Sequence, residues 1–207
     1  MVDGSMKINR GSVFGLLVFL SLCWMSCSSK PKVDDEVAVL ETSYGKIVIE
    51  FAINSAPKHV ANFKELARQG FYDGTRFFLN VKIRNRVVAI QGGDPNTISG
   101  ARSTWGAGQP GQKSITAEFS RIKHERGIVS AFHKANDPNS ANSQFFICTT
   151  AEPSFDGQFS VFGRVIDGMN VVDAIARAPV DQTDTPIDPV VVKHVYIAKR
   201  DEVKQEQ

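Results

Sequence analysis

The first hydrophobic pattern in the chain is the alternation expected of β-strands. Residues 46–51 place Ile47 and Ile49 on one face and Val48 and Glu50 on the other. A second apolar run, residues 37–40, precedes it across a turn at Tyr44-Gly45. Two such runs joined by a short turn predict a β-hairpin.

The next segment changes to a helical period. Its apolar residues at this spacing are Val60, Phe63, Leu66 and Ala67. Ser55 is a residue type that caps helix N-termini, and Pro57 suits a first turn. Gly70 is typical of the position just after a helix ends. We therefore predict one helix between residues 55 and 70.

Beyond residue 70, short apolar runs alternate with glycine-rich or polar breaks. The predicted strands are 75–83, 86–91, 115–119, 127–132, 145–149, 159–165 and 190–198, with a second short helix over 169–175. Many short strands without a repeating strand–helix–strand rhythm are typical of antiparallel architectures. The pattern predicts a mainly β fold, a closed or nearly closed antiparallel β-barrel.

The N-terminal segment has the pattern of an export signal. Lys7 and Arg10 precede an apolar run over residues 13–25, which is short for a membrane span. The Cys27 that follows Ser26 resembles the lipidation site of bacterial lipoproteins. A plain cleaved signal and an uncleaved anchor remain alternatives.

These observations divide the chain into four segments. They are a signal peptide over 1–26, a lipidated Cys27 and tether over 27–36, a folded domain over 37–200, and a polar tail over 201–207. We expect an extracytoplasmic protein, lipid-anchored to a bacterial membrane and facing the periplasm or the cell surface. Two or three acyl chains would hold it stably. The net charge of +2 over 207 residues gives no basic footprint, so we expect no nucleic-acid partner.

Candidate chemistry lies where a small-residue loop enters the strand at 145–149. Gln144 and Phe146 fall on one face of that strand, and Phe145 falls on the other. If the shared face lines a groove, it offers an amide and an aromatic ring to a short peptide with an apolar ring and a carbonyl. The alternative is an ordinary strand with a core phenylalanine and a hydrogen-bonded glutamine.

No residue pattern indicates a metal or cofactor. The four histidines lack metal-ligand spacing. The glycine motif at residues 106–111 matches a dinucleotide-binding pattern, but Pro110 lies within it and a predicted strand follows where that site needs a helix.

Seven motifs in order carry a family resemblance. They are Ala56-Pro-Lys-His-Val-Ala-Asn-Phe63, Gly70-Phe-Tyr-Asp-Gly-Thr75, Ile90-Gln-Gly-Gly-Asp-Pro95, Ala117-Glu-Phe119, Asp137-Pro-Asn-Ser-Ala-Asn-Ser-Gln-Phe-Phe-Ile147, Phe155-Asp-Gly157 and Val161-Phe-Gly-Arg-Val-Ile-Asp-Gly-Met169. Together they resemble a cyclophilin-type peptidyl-prolyl cis-trans isomerase over residues 38–198. The resemblance implies a closed eight-stranded antiparallel β-barrel capped by two α-helices.

The resemblance also assigns a substrate groove. Its implied substrate-binding residues are Gln91, Gln144, Phe146, Phe132, His133, Phe155 and Ala89. The arginine that donates to the prolyl group in this family falls on Leu79, and the following hairpin is about four residues longer than usual. Arg84 or Arg86 in that hairpin is a candidate relocated donor, or else a solvated turn charge.

Three functions follow as hypotheses. The first is a prolyl isomerase that needs no cofactor and accelerates X-Pro isomerisation in exported proteins. The second is a catalytically weak module that binds Pro-containing segments, which the leucine at position 79 favours. The third is a purely structural surface lipoprotein. For the first two, the partners are Pro-containing polypeptides, and we expect a monomer.

Overall fold

The computed structural model describes residues 1–3 and 34–205. The described residues from 34 to 205 belong to one compact unit. Its strands are β1 (Glu36–Thr42), β2 (Gly45–Phe51), β3 (Leu79–Ile83), β4 (Arg86–Gly92), β5 (Ile128–Ala131), β6 (Phe145–Cys148), β7 (Ser160–Asp167) and β8 (Val192–Lys199). The helices are α1 (Pro57–Arg68), α2 (Asn96–Ser99), α3 (Met169–Ala176) and α4 (Arg200–Gln205), with 3-10 turns at Arg102–Thr104 and Pro153–Phe155.

All eight strands belong to one antiparallel sheet in the order β3-β4-β6-β5-β7-β2-β1-β8. The mainly β, eight-stranded prediction is therefore confirmed. The predicted closure is not, because the sheet is an open half-barrel whose end strands β3 and β8 share no regular ladder. The segments that precede these two strands meet at a bridge between Arg76 and Val191 and at nearby backbone hydrogen bonds, such as that from Phe77 N–H to the Val190 carbonyl at 3.0 Å. Asn80 of β3 instead donates its backbone N–H to Asp184 in the α3–β8 connection, at 3.0 Å.

Two apolar clusters occupy opposite faces of the sheet. Phe145 lies in the larger one, inside the half-barrel, where Phe63 of α1 packs edge-on against it with ring centroids 5.6 Å apart. Phe146 lies in the smaller cluster on the outer face with Ala89 and Cys148. Consecutive side chains of β6 thus point in opposite directions, as the strand alternation predicts.

Helix α1 ends as predicted but begins differently. Gly70 has φ +68°, the left-handed conformation that follows many helices. The N-cap is Ala56 and makes no side-chain cap, so the assignment of Ser55 was wrong. Glu118 takes that role from a distant loop, because its carboxylate accepts the backbone N–H groups of Lys58 and His59 at 3.0 and 3.1 Å.

Ion pairs fasten the start of β1 to α1. The ammonium of Lys64 lies 2.5 Å from a carboxylate oxygen of Asp34 and 2.8 Å from one of Glu36. It also sits 4.7 Å from the centroid of the Phe51 ring. Lys64 is buried, so these contacts are shielded from solvent and position the chain entry rigidly.

Two further expectations changed. Residues 115–119 do not form a strand, since only a single bridge joins Ile115 to Ala141. The polar tail begins as helix α4, which continues directly from β8.

The predicted signal peptide, the lipidation of Cys27 and most of the tether fall on residues 4–33, outside the described residues. Within the described ranges, no helix is both long enough and apolar enough to cross a bilayer.

Candidate active site

The candidate site is organised by one row of side chains across three strands. Leu79 of β3 pairs with Gln91 of β4, and Gln91 pairs with Phe146 of β6. Residues directly opposite in antiparallel strands project from the same face. The leucine, the amide and the aromatic ring therefore stand side by side on the outer face of the sheet.

The two glutamines form a hydrogen-bonded chain. Gln91 Nε2 donates to Gln144 Oε1 at 3.0 Å, and Gln144 Nε2 donates to the carbonyl of Gly106 at 3.1 Å. Both residues are buried. The amide groups are thus held in one orientation by the loop at residue 106, with one of the two protons on each nitrogen used in this chain.

Aromatic rings wall the space beside this row. Phe146 meets Phe155 at a centroid distance of 5.4 Å and Phe159 at 5.0 Å, both edge to face. Phe132 packs against the same cluster, and Ala89 is fully buried within it, so the predicted contact of Ala89 with a substrate has no exposed surface. The partly exposed rings of Phe132, Phe155 and Phe159 are the apolar surface that this cluster offers.

His133 lies at the edge of the cluster. Its ring stacks on Phe159 at 4.7 Å. Nδ1 lies 2.9 Å from the carbonyl oxygen of Lys134, and Nε2 lies 2.9 Å from that of Gln158. Carbonyl oxygens only accept, so a ring N–H is the donor in each of these contacts. His133 therefore ties together the two loops that flank the groove.

The two hairpin arginines do not enter the row. Arg84 and Asn85 have φ of 51° and 62° and form the two-residue turn between β3 and β4. Arg86 is exposed, with its guanidinium 3.8 Å from the carboxylate of Glu152. It lies five residues along β4 from Gln91, which is about 16 Å in an extended strand. Position 79 thus carries a leucine with no cation beside it in the row.

Arg76 is excluded as a donor by its contacts. Its guanidinium donates to the carbonyl oxygens of Thr97 and Ile98, and its backbone N–H donates to the Thr97 hydroxyl. These bonds fix α2 against the segment that leads into β3. Arg76 is thus occupied by the α2 contacts.

One residue near the site was missed from the sequence. His124 is buried beneath the aromatic cluster, 2.9 Å from the Ser130 hydroxyl through Nε2 and 3.2 Å from Asp156 through Nδ1. Burial lowers the pKa of His124 below its ordinary value, and Asp156 opposes this shift. Asp156 is 32 positions away in sequence, so no local spacing could have revealed the pair.

The described residues contain no group of three or more His, Cys, Asp or Glu side chains arranged to hold a metal ion. The side chains of Leu79, Gln91 and Phe146 offer apolar contact and amide hydrogen bonding at the row.

Comparisons with known proteins show the family of this chain. The model of the family "Cyclophilin type peptidyl-prolyl cis-trans isomerase/CLD" matches residues 37–197. "Peptidyl-prolyl cis-trans isomerase-like 3" of Dictyostelium discoideum is 37% identical over 161 residues, which is 76% of this chain and 92% of that protein. "Peptidyl-prolyl cis-trans isomerase-like 2" of Rhizopus delemar is 36% identical over 75% of this chain, but the match spans only 28% of that longer protein.

A solved structure shows the same fold. A cyclophilin-type isomerase of Cryptosporidium parvum, crystallised in the presence of the dipeptide Ala-Pro, superposes with a TM-score of 0.69. It is 30% identical and covers 79% of this chain and 99% of its own. The family model, the relatives and the shared fold together show that the chain belongs to the cyclophilin-type peptidyl-prolyl cis-trans isomerases.

Proposed function

We propose that this protein accelerates the cis-trans isomerisation of X-Pro bonds in exported proteins. The observation that carries the proposal is the row that joins Gln91 and Phe146 beside an aromatic cluster. The Cryptosporidium parvum structure was determined in the presence of the dipeptide Ala-Pro, which is the class of ligand that we assign to this row. In our assignment the prolyl ring contacts Phe146 and Phe155, and the glutamine amides hold a neighbouring carbonyl.

The reaction needs no covalent intermediate. The barrier of about 18–20 kcal/mol arises from resonance in the planar amide. Resonance separates charge, so an apolar environment stabilises the twisted amide relative to the planar one. Leu79 presents an apolar side chain at the position where an arginine donates in the family pattern. We infer that catalysis here uses ring binding and removal of water from the amide, without the guanidinium contribution.

A peptide assay tests the proposal. The exchange rate between cis and trans forms of an Ala-Pro tetrapeptide is measured by NMR with micromolar protein. We expect exchange clearly faster than the uncatalysed reaction, which takes tens to hundreds of seconds. An unchanged exchange rate would refute the enzymatic assignment. Turnover that is lost in Arg84→Ala or Arg86→Ala would instead locate a donor in the hairpin.

Leu79 favours one alternative, a module that binds Pro-containing segments with little turnover. A leucine cannot donate a hydrogen bond, whereas the groove that would hold the ring is assembled. In that case the peptide shifts the amide signals of Gln91 and Phe146 while the exchange rate stays at background. Absence of both effects would leave only a structural role.

We also propose that a lipid on Cys27 anchors the protein to a bacterial membrane with the folded domain outside the cytoplasm. The support is the sequence alone, namely the basic start, the short apolar run and the cysteine that follows. Cells are fractionated after expression of the full chain and of Cys27→Ala. We expect the wild type in membranes and the variant released. Equal distribution of the two would contradict the anchor.

A further inference from the structure

His124 occupies the centre of the aromatic cluster without reaching the surface. Its ring stacks on Phe146 at 6.1 Å with an interplanar angle of 21°. It meets Phe155 edge-on at 5.8 Å and Phe159 at 6.4 Å. The side chain is 0% exposed. His124 therefore contacts the residues that face the groove and has no surface of its own to offer a substrate.

Hydrogen bonds at both ring nitrogens hold this imidazole. The Asp156 carboxylate lies 3.2 Å from Nδ1 and also accepts the backbone N–H of His124 at 2.8 Å. An ionised carboxylate can only accept, so Nδ1 carries the proton. Nε2 then accepts from the hydroxyl of Ser130 at 2.9 Å. One tautomer and one ring orientation satisfy both contacts.

The anchors of His124 adjoin the residues that it contacts. Ser130 pairs directly with Phe146 across β5 and β6. Asp156 follows Phe155 in the chain, at the end of the 3-10 turn. A shift of the imidazole would thus move the Phe146 ring relative to the Phe155 ring.

We propose that His124, held by Asp156 and Ser130, is a positioning residue that fixes the ring of Phe146 for contact with the prolyl ring. The inference rests on the proposed function and deepens it. The contact with proline is present in both the planar and the twisted amide. Loss of positioning should therefore raise KM and leave kcat nearly unchanged.

Three variants and one control separate a positioning role from an effect on stability alone. Asp156→Ala removes the acceptor for Nδ1, whereas Asp156→Asn keeps a carbonyl acceptor while losing the charge and the ion pair with Lys123. His124→Phe keeps a stacked ring but loses both nitrogen contacts.

The matched control is Asp73→Ala. Asp73 also pairs with a histidine Nδ1, that of His194 at 2.8 Å, and also accepts a backbone N–H, that of Val195. His194 and Val195 lie on β8, at the far end of the sheet order from β4 and β6.

We expect Asp156→Ala and His124→Phe to raise KM for the Ala-Pro peptide about five- to tenfold, with kcat within about twofold of wild type. Asp156→Asn and Asp73→Ala should retain the wild-type KM. Melting temperatures establish that each variant is folded at the assay temperature. A KM in Asp156→Ala equal to that in Asp73→Ala would overturn the inference, whatever the change in stability.

A second readout is independent of turnover. The ring signals of ¹³C-labelled Phe146 are recorded in the free proteins, together with the dissociation constant of the peptide. We expect the ring signals to move in Asp156→Ala and to stay in place in Asp156→Asn and Asp73→Ala. If the wild type shows no turnover, the proposed function fails, but the Phe146 signals still decide the positioning role. Unmoved signals in Asp156→Ala would refute it.

Discussion

At the scale of single residues, Leu79 is the position that distinguishes this groove. Its pairing with Gln91 puts its side chain in the same row as Phe146. Preorganised donors aimed at developing charge are worth 10²–10³ in rate in well-studied enzymes. A leucine in this row withholds that contribution, whereas the aromatic floor and the amides are assembled around it.

Restoring a donor should therefore increase turnover. We expect Leu79→Arg to raise kcat/KM for an Ala-Pro peptide by about 10²-fold, because the half-buried side chain at this position faces the groove. The exchange assay described above measures the change.

The control for added charge is Ile83→Arg, four residues further along the same strand and on the same face. It should leave kcat/KM within about twofold of wild type. An equal increase of kcat/KM in both variants would indicate general electrostatic attraction of the peptide. An unchanged kcat/KM in Leu79→Arg would show that the X-Pro amide does not twist beside this row.

At the scale of elements, a loop residue organises the start of α1. Glu118 accepts the backbone N–H groups of Lys58 and His59 and lies 2.7 Å from Nδ1 of His59. A carboxylate at a helix N-terminus is stabilised by the exposed N–H groups and by the helix dipole. The helix and the loop that runs past it are thus joined by one side chain.

We expect Glu118→Ala to lower the free energy of unfolding by about 2–3 kcal/mol, since it leaves a buried histidine and two backbone donors without their acceptor. Urea denaturation at pH 7 measures the loss. Glu65→Ala, on the same helix and hydrogen-bonded only to Gln69, should cost less than about 0.5 kcal/mol. Comparable losses in the two variants would exclude the capping role.

Helix α1 also shows what sequence patterns can and cannot supply. Its length and its end at Gly70 follow from local spacing and backbone preference. Its start does not, because the cap comes from Glu118, which is 60 positions from Lys58. The same limit explains the strand wrongly predicted at 115–119, where Ile115 makes a single bridge and the neighbouring Glu118 turns toward the helix.

The candidate site could likewise be predicted only in part from the sequence. Its row could be predicted, since strand alternation and motif order place Leu79, Gln91 and Phe146 together. The position of His124 beneath the row could not be predicted, because its contacts depend on how the 3-10 turn at Pro153–Phe155 and strand β5 meet in three dimensions. Closure of the barrel was overestimated because single contacts at Arg76 replace a ladder that the apolar pattern alone would allow.

At the scale of the whole molecule, buried histidines make stability depend on pH. Burial lowers the pKa of His59 and of His124 below the ordinary value of 6.5, although Glu118 and Asp156 oppose the shifts. The unfolded chain therefore binds protons more readily than the native protein just below pH 6.5. Stability is full above that value and falls as the pH drops through it.

The carboxylates of Glu118 and Asp156 also make stability fall as the pH drops, over a lower pH range. Hydrogen bonds from His59 and its helix lower the pKa of Glu118 against the effect of burial, and the His124 backbone N–H lowers that of Asp156. Their contribution is present above the ordinary values of 4.5 and 3.8 and is lost as the pH falls below them.

Urea denaturation between pH 8 and pH 4 tests this dependence. We expect a plateau above about pH 6.5 and a decline below it of at most about 1.4 kcal/mol per pH unit for each histidine. His124→Phe should reduce the slope between pH 6.5 and 5. A wild-type curve that is flat down to pH 5, or a slope unaltered in the variant, would contradict the assignment.

The ion pairs of Lys64 with Asp34 and Glu36 limit how far from a membrane the domain could extend. If Cys27 carries a lipid, only the chain from residue 27 to residue 34 separates the bilayer from a point fixed on α1. Seven residue steps reach at most about 25 Å. The domain would then be confined to a thin layer above the membrane, where its clients would be chains still close to their site of export.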